Sequence, residues 1–148
     1  MEKNIEDKLI QALDNEQHDG LLNFTTKKIK ELNAHILREL HLSKQTYHEL
    51  CKKLKDYKYV DEINDLKYGT YIRWIPIHDP EHLFLTKGAI FCSLLITENG
   101  LYCVCKNFGS SMRHFRIHME TNLIFQKLTT QELIILSALD HLSESSSN

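Results

Sequence analysis

At 148 residues, 42% hydrophobic and 26% charged with a net charge of −2, the chain has the composition of one globular domain, which excludes global disorder. No apolar run approaches the roughly 18 residues of a membrane span. The charged start Met1-Glu2-Lys3-Asn4-Ile5-Glu6-Asp7 is unlike a signal or transit peptide, so a soluble, intracellular protein without a membrane partner is expected.

The first part of the chain reads as helical. Ile5, Leu9, Ala12 and Leu13 form a short stripe that Asp19-Gly20 breaks. Ile29, Leu32, Ile36, Leu37 and Leu40 form a stronger stripe, with Thr25 or Thr26 as its cap. His41-Leu42 is a short joint, Ser43 a natural N-cap, and Tyr47, Leu50, Cys51 and Leu54 a third stripe. No such helix buries its apolar face alone, so each must pack on a neighbour or a partner.

Near Tyr59 the period changes to two. Tyr71–Ile75 is an aromatic and β-branched run, and Pro76 and Pro80 bracket a strand end or loop. Ala89 to Thr97 and Leu101 to Lys106 flank Asn99-Gly100, a strong hairpin signal. Phe108-Gly109-Ser110-Ser111 reads as a turn, His114 to Met119 alternates, and Leu123 to Lys127 is a last short strand. Thr129-Thr130-Gln131-Glu132 is a capping box that opens a closing helix with Leu136, Leu139 and Leu142 on its apolar stripe. The expected fold is therefore α+β: N-terminal helices over 1–58, an antiparallel meander of about five short strands with a C-terminal capping helix over 59–142, and a flexible tail over 143–148. A sheet of this size can curl into a small barrel, which removes its edges.

Charge is uneven along the chain: residues 1–20 carry net −4, residues 21–60 net +5 and residues 61–148 net −3. The basic block is either an electrostatic footprint for nucleic acid or a solvated, lysine-rich helix face. Cys51, Cys92, Cys103 and Cys105 lie in helix or strand segments of a chain that is neither short nor cysteine-dense, so reduced thiols are expected.

Three patterns could carry chemistry. Cys103, Cys105, His114 and His118 are the right types for zinc, but strand alternation puts the cysteines with the core and the histidines on the opposite face. His78-Asp79-Pro80-Glu81-His82 could bind metal or support acid–base work, yet it lacks the helical spacing of His-Glu-x-x-His and reads first as a polar connection between strands. Any cysteine could act as a nucleophile, though none has a local activating signal. Gly69, Gly88, Gly100 and Gly109 are isolated turn glycines, not a phosphate loop. No catalytic residue, metal or cofactor is assigned.

Two patterns suggest binding. With Ile72 and Trp74 inward, Tyr71 and Arg73 point outward, as do Arg116, His114, His118 and, with Cys103 and Cys105 buried, Lys106. Antiparallel sheets hold single-stranded nucleic acid on such faces, and Tyr71, Arg73, Lys106, Arg113 and Arg116 are the expected contacts. The Ile36–Tyr47 segment also looks like the turn of a helix-turn-helix, which would put Lys44, Gln45 and His48 at the DNA, with Lys52, Lys53 and Lys55 behind. Leu21, Leu22 and Phe24 offer a patch for a protein partner or for self-association.

Tyr57–Glu62, Leu66–Ile75, Cys105–Phe108, Asn122–Thr129 and Gln131-Glu132 together resemble an uncharacterised protein family of large and giant DNA viruses, over about Ile36 to Leu142. The resemblance implies a virus replicating in a eukaryotic cell, hence the host cytoplasm, a viral factory or the virion. It implies no activity, cofactor or catalytic residue. The sequence therefore points to a non-enzymatic, viral binding module that contacts nucleic acid, with a protein-interaction or virion-assembly role as the alternative and an enzyme of unrecognised type last.

Overall fold

A computed structural model of the chain describes residues 24–107 and 113–146, without the side chains of 145 and 146. It is α+β. Three helices, α1 (Thr26–Arg38), α2 (Lys44–Lys53) and α3 (Thr130–Ser146), accompany six strands. These are β1 (Tyr57–Tyr59), β2 (Tyr71–Pro76), β3 (Ala89–Thr97), β4 (Gly100–Lys106), β5 (His114–His118) and β6 (Asn122–Lys127). The Ile5–Leu13 stripe, Leu21, Leu22 and the Phe108–Ser111 turn lie outside the described residues.

The caps follow the side-chain chemistry. Thr25 accepts from the Lys28 amide and Ser43 from the Thr46 amide, so α1 and α2 start where hydroxyls can replace missing helical acceptors. His41 takes the left-handed φ of 53° at the joint, a conformation glycine would adopt with less strain. The Thr129–Glu132 box forms in both directions, at 3.1 and 3.0 Å. α3 then runs on through Ser146, so the serine-rich stretch from Ser143 is helical rather than a tail as far as it is described.

The sheet is antiparallel in the order β1-β6-β2-β3-β4-β5. Strands β2 to β5 form the expected meander. The expectation of about five strands misses β1, and β6 crosses back to pair with both β1 and β2. The sheet does curl: the Trp74 and Phe115 rings, on β2 and β5, lie 6.0 Å apart. Three flat strand spacings would separate them by about 14 Å. It nevertheless stays open: β1 and β5 are its two edges and do not pair with each other.

The outer edge of β1 is covered by a side chain. Asn33, buried in α1, donates to the Tyr57 carbonyl at 2.8 Å and accepts from the Tyr59 amide at 2.9 Å. Its amide group thus stands in for a neighbouring strand. On this outer face Leu37, Leu50 and Leu54 pack with Tyr57, Ile75 and Phe125, so the helical half does pack on the sheet. A boundary at 58/59 would cut through β1. On the inner face Ile72, Trp74, Phe91, Cys103, Cys105 and Ile124 form a second core. Ile29 of α1 meets Ile135 and Leu136 of α3 in a third, where Asp140 receives the Thr26 amide at 2.9 Å and its hydroxyl at 2.6 Å.

The segment 61–70 closes the inner core around Gln126. Its Nε2 donates to the Asp65 carbonyl at 2.8 Å, and its Oε1 accepts from the Lys67 amide at 2.8 Å. Lys67 in turn reaches the buried Glu132 at 3.0 Å. Along β2, Thr86 pairs with Trp74, and the chain then passes Gly88 at φ +94°. A Cβ there would lie 2.4 Å from the Ile72 carbonyl oxygen, so only glycine lets the backbones approach this closely.

Asn33→Ala leaves a buried carbonyl and a half-buried amide unpaired, and chemical denaturation is expected to show a loss of about 2–4 kcal/mol. Gly88→Ala is expected to cost at least about 2 kcal/mol in the same assay, whereas the exposed Lys30→Ala stays within about 0.5 kcal/mol of the parent.

Candidate nucleic-acid interface

The sheet has two outer halves of different character. Over β1, β6 and β2 the outer face lies under α1, α2 and the segment from Ile77 to Leu85. Over β4 and β5 no helix of the described residues packs on it. The pairing register fixes what this open half presents. Cys103 pairs with Ile117 and Cys105 with Phe115 on the inner face, so Tyr102, Val104 and Lys106 share the outer face with His118, Arg116 and His114.

These side chains form a cluster. The Tyr102 and His118 rings meet edge to face at 4.7 Å. The Arg116 guanidinium lies 4.8 Å from the Tyr102 ring centroid, a cation–π contact that holds a long side chain in place. Lys106 and His114 continue the face one row on, and the exposed Arg113 precedes His114. From Leu101 to Met119 the sequence carries Lys106, Arg113 and Arg116 and no carboxylate. A guanidinium plane backed by a ring, with a lysine on the same face, can stack on a base and meet phosphates.

His118 has a fixed role in this face. Its Nδ1 accepts from the Glu120 amide at 3.1 Å, so the proton sits on Nε2, which donates to the Asn99 carbonyl at 2.9 Å. The imidazole therefore ties the β3–β4 turn to the end of β5. Gly100, at φ +123°, makes room: a Cβ there would lie 2.8 Å from His118 Nε2. The hairpin differs from the two-residue Asn-Gly turn, because Glu98 and Asn99 form the turn without positive φ and Gly100 alone is left-handed.

The other expected contacts are distributed elsewhere. Tyr71 and Arg73 do lie on the outer face, and the register puts Tyr71, Ile90, Lys106 and His114 in one row. Both are half-buried, however, and hold the neighbouring segment: the Tyr71 hydroxyl donates to the Lys87 carbonyl and Arg73 Nε to the Thr86 carbonyl at 2.8 Å. Lys44, Lys52, Lys53 and Lys55 are exposed on and just after α2, in the helical layer rather than on β4 and β5. Lys52 and Lys53 fall in its last turn, where the helix dipole favours cations. Phe24 is half-buried against the α1–α3 core with the Lys58 ammonium 4.6 Å from its ring.

The metal candidates do not converge. Cys103 and Cys105 are fully buried on the inner face, while His114 and His118 are on the outer face. Asp79 accepts from the Glu81 amide at 3.1 Å and pairs with His82 at 2.9 Å, so the His78–His82 segment is a self-bonded turn. Among the described residues, no three His, Cys, Asp or Glu side chains gather as a metal site, and no helix is long and apolar enough to cross a membrane. Sequence reasoning passed over Tyr102. The alternation Tyr-x-Cys-x-Cys could have found it, since burying both cysteines turns the tyrosine outward.

All four cysteines are free. Burial pushes the Cys103 thiol up to about 11 and, helped by its neighbouring thiols, the Cys105 thiol up to about 12. An alkylating reagent is therefore expected to modify Cys51 and Cys92 in the folded protein, and Cys103 and Cys105 only on unfolding, as mass mapping of the adducts would show. Unfolded thiols ionise near 9, so above that pH the folded state holds more protons and stability falls as pH rises toward 11–12.

No protein-family model, no curated protein and no solved structure matches the chain.

Proposed function

We propose that the chain is a non-enzymatic binding module that holds single-stranded nucleic acid across the outer face of β4 and β5. The observation that carries this reading is the Arg116 guanidinium positioned over Tyr102, on a stretch with three cations and no carboxylate. Stacking on a guanidinium or aromatic plane needs an unpaired base, which favours single strands over duplex. Tyr71 and Arg73 serve as supports for this face, and the lysines of α2 as a solvated helix surface. On the resemblance to viral sequences, the proposed setting is an infected cell, in the host cytoplasm, a viral factory or the virion.

Fluorescence anisotropy with labelled single- and double-stranded oligonucleotides tests the reading. Single strands are expected to bind more tightly. Three neutralised phosphates, at about −0.7 each, predict a slope of about −2 for log K against log salt. Arg116→Ala is expected to weaken binding about tenfold, the scale of one lost stacking contact. Lys52→Ala is expected to leave it unchanged. Salt-independent binding, or a larger loss from Lys52→Ala than from Arg116→Ala, contradicts the proposal.

A further inference from the structure

Strand β3 is longer than the neighbour beside it. β2 pairs only with its first two residues, Ala89 and Ile90. Phe91 then bonds to Thr70 and Gly69, and beyond it no strand lies on that side among the described residues. The irregularity between Phe91 and Ser93 resets the alternation, and Thr97 closes the hairpin on Gly100. Alternation back from that pair turns the amides and carbonyls of Ile96 and Leu94 toward the open edge.

The side chains around this edge are apolar and exposed: Leu94 by 37%, Leu95 by 38% and Ile96 by 83%. Ala89–Thr97 contains no charge and no proline, the residues that usually block edge-to-edge pairing.

We infer that Ser93–Thr97 is a pairing edge for a second copy of this chain, antiparallel about a two-fold axis at Leu95. The segment is complementary to itself in this one register. Leu94 of one copy falls opposite Ile96 of the other, so the outward amides and carbonyls meet in two reciprocal pairs. Leu95 meets Leu95 on the outer face, and Ser93 meets Thr97. Every exposed apolar side chain thus finds an apolar partner, and no like charges meet. Leu95, Tyr102 and His118 share one row, so pairing would also extend the outer faces of both copies into one continuous surface.

Light scattering coupled to size exclusion should give twice the chain mass for the wild type and the chain mass for Leu95→Lys, which sets two ammonium groups against each other. Circular dichroism checks that this exposed substitution folds. Under mild oxidant, Leu95→Cys should form a covalent dimer that the wild type does not. Ser93→Cys should not, because the register separates the two copies of that position by about 13 Å. A wild-type monomer at the highest concentration reached overturns the inference, and protection of the Leu94 and Ile96 amides in that monomer would place another segment of the same chain on the edge. A dimer unaffected by Leu95→Lys, or crosslinked through Ser93→Cys but not Leu95→Cys, also overturns it.

Discussion

A sheet edge must be satisfied by something, and in this protein Asn33 satisfies the outer edge of β1. Two hydrogen bonds from one buried amide stop the sheet growing on that side and fix α1 against it. The rest of the outer face follows from this contact. With α1 in place, Leu37 meets Phe125 and Ile75, α2 packs alongside, and the helical layer covers β1, β6 and β2. The same contact occupies the edge of β1 that a closing β5 would have to pair with, and the sheet stays open. No helix of the described residues covers the outer face of β4 and β5, and it is the half that carries Arg116 and Lys106.

The inner face is held by a different kind of contact. Curling brings Trp74 to Phe115 and buries two cysteines with no exposure, but the mouth of the curl still contains polar backbone. Gln126 meets that need by bonding Asp65 and Lys67 of the closing segment. Glu132 links the segment onward to α3, because one of its oxygens completes the capping box while the other receives Lys67. Each buried polar group of the described core, Asn33, Gln126 and Glu132, therefore joins elements distant in sequence. Polar groups buried without partners are costly, so these contacts help to select one arrangement of the elements.

Much of this was legible in the sequence because local chemistry decides it. The Ser43 cap, the Thr129–Glu132 box and the alternation that separates Cys103 and Cys105 from His114 and His118 need only neighbouring residues. β1 was missed because Tyr57–Tyr59 is three residues long and gains its partners from β6 and Asn33, about 66 and 26 positions away in the bonds they make. Alternation gives Tyr71 and Arg73 their outer face, but it cannot say that the chain from Thr86 returns to receive them. Tyr102 gained its place in the site from Arg116 on the next strand, a pairing set by register rather than by either residue's own surroundings.

The two basic regions offer a sharp choice. α2 carries lysines of a kind common on solvated helices, whereas β4 and β5 carry fewer cations, with Arg116 held over the Tyr102 ring, in a stretch without carboxylates. Amide chemical-shift mapping on isotope-labelled protein, titrated with a short single-stranded oligonucleotide, decides between them most directly. The account predicts the largest shifts at Tyr102, Val104, Lys106, Arg116 and His118, with Lys44–Lys53 unchanged. Shifts confined to α2, or none at saturating oligonucleotide, would contradict it.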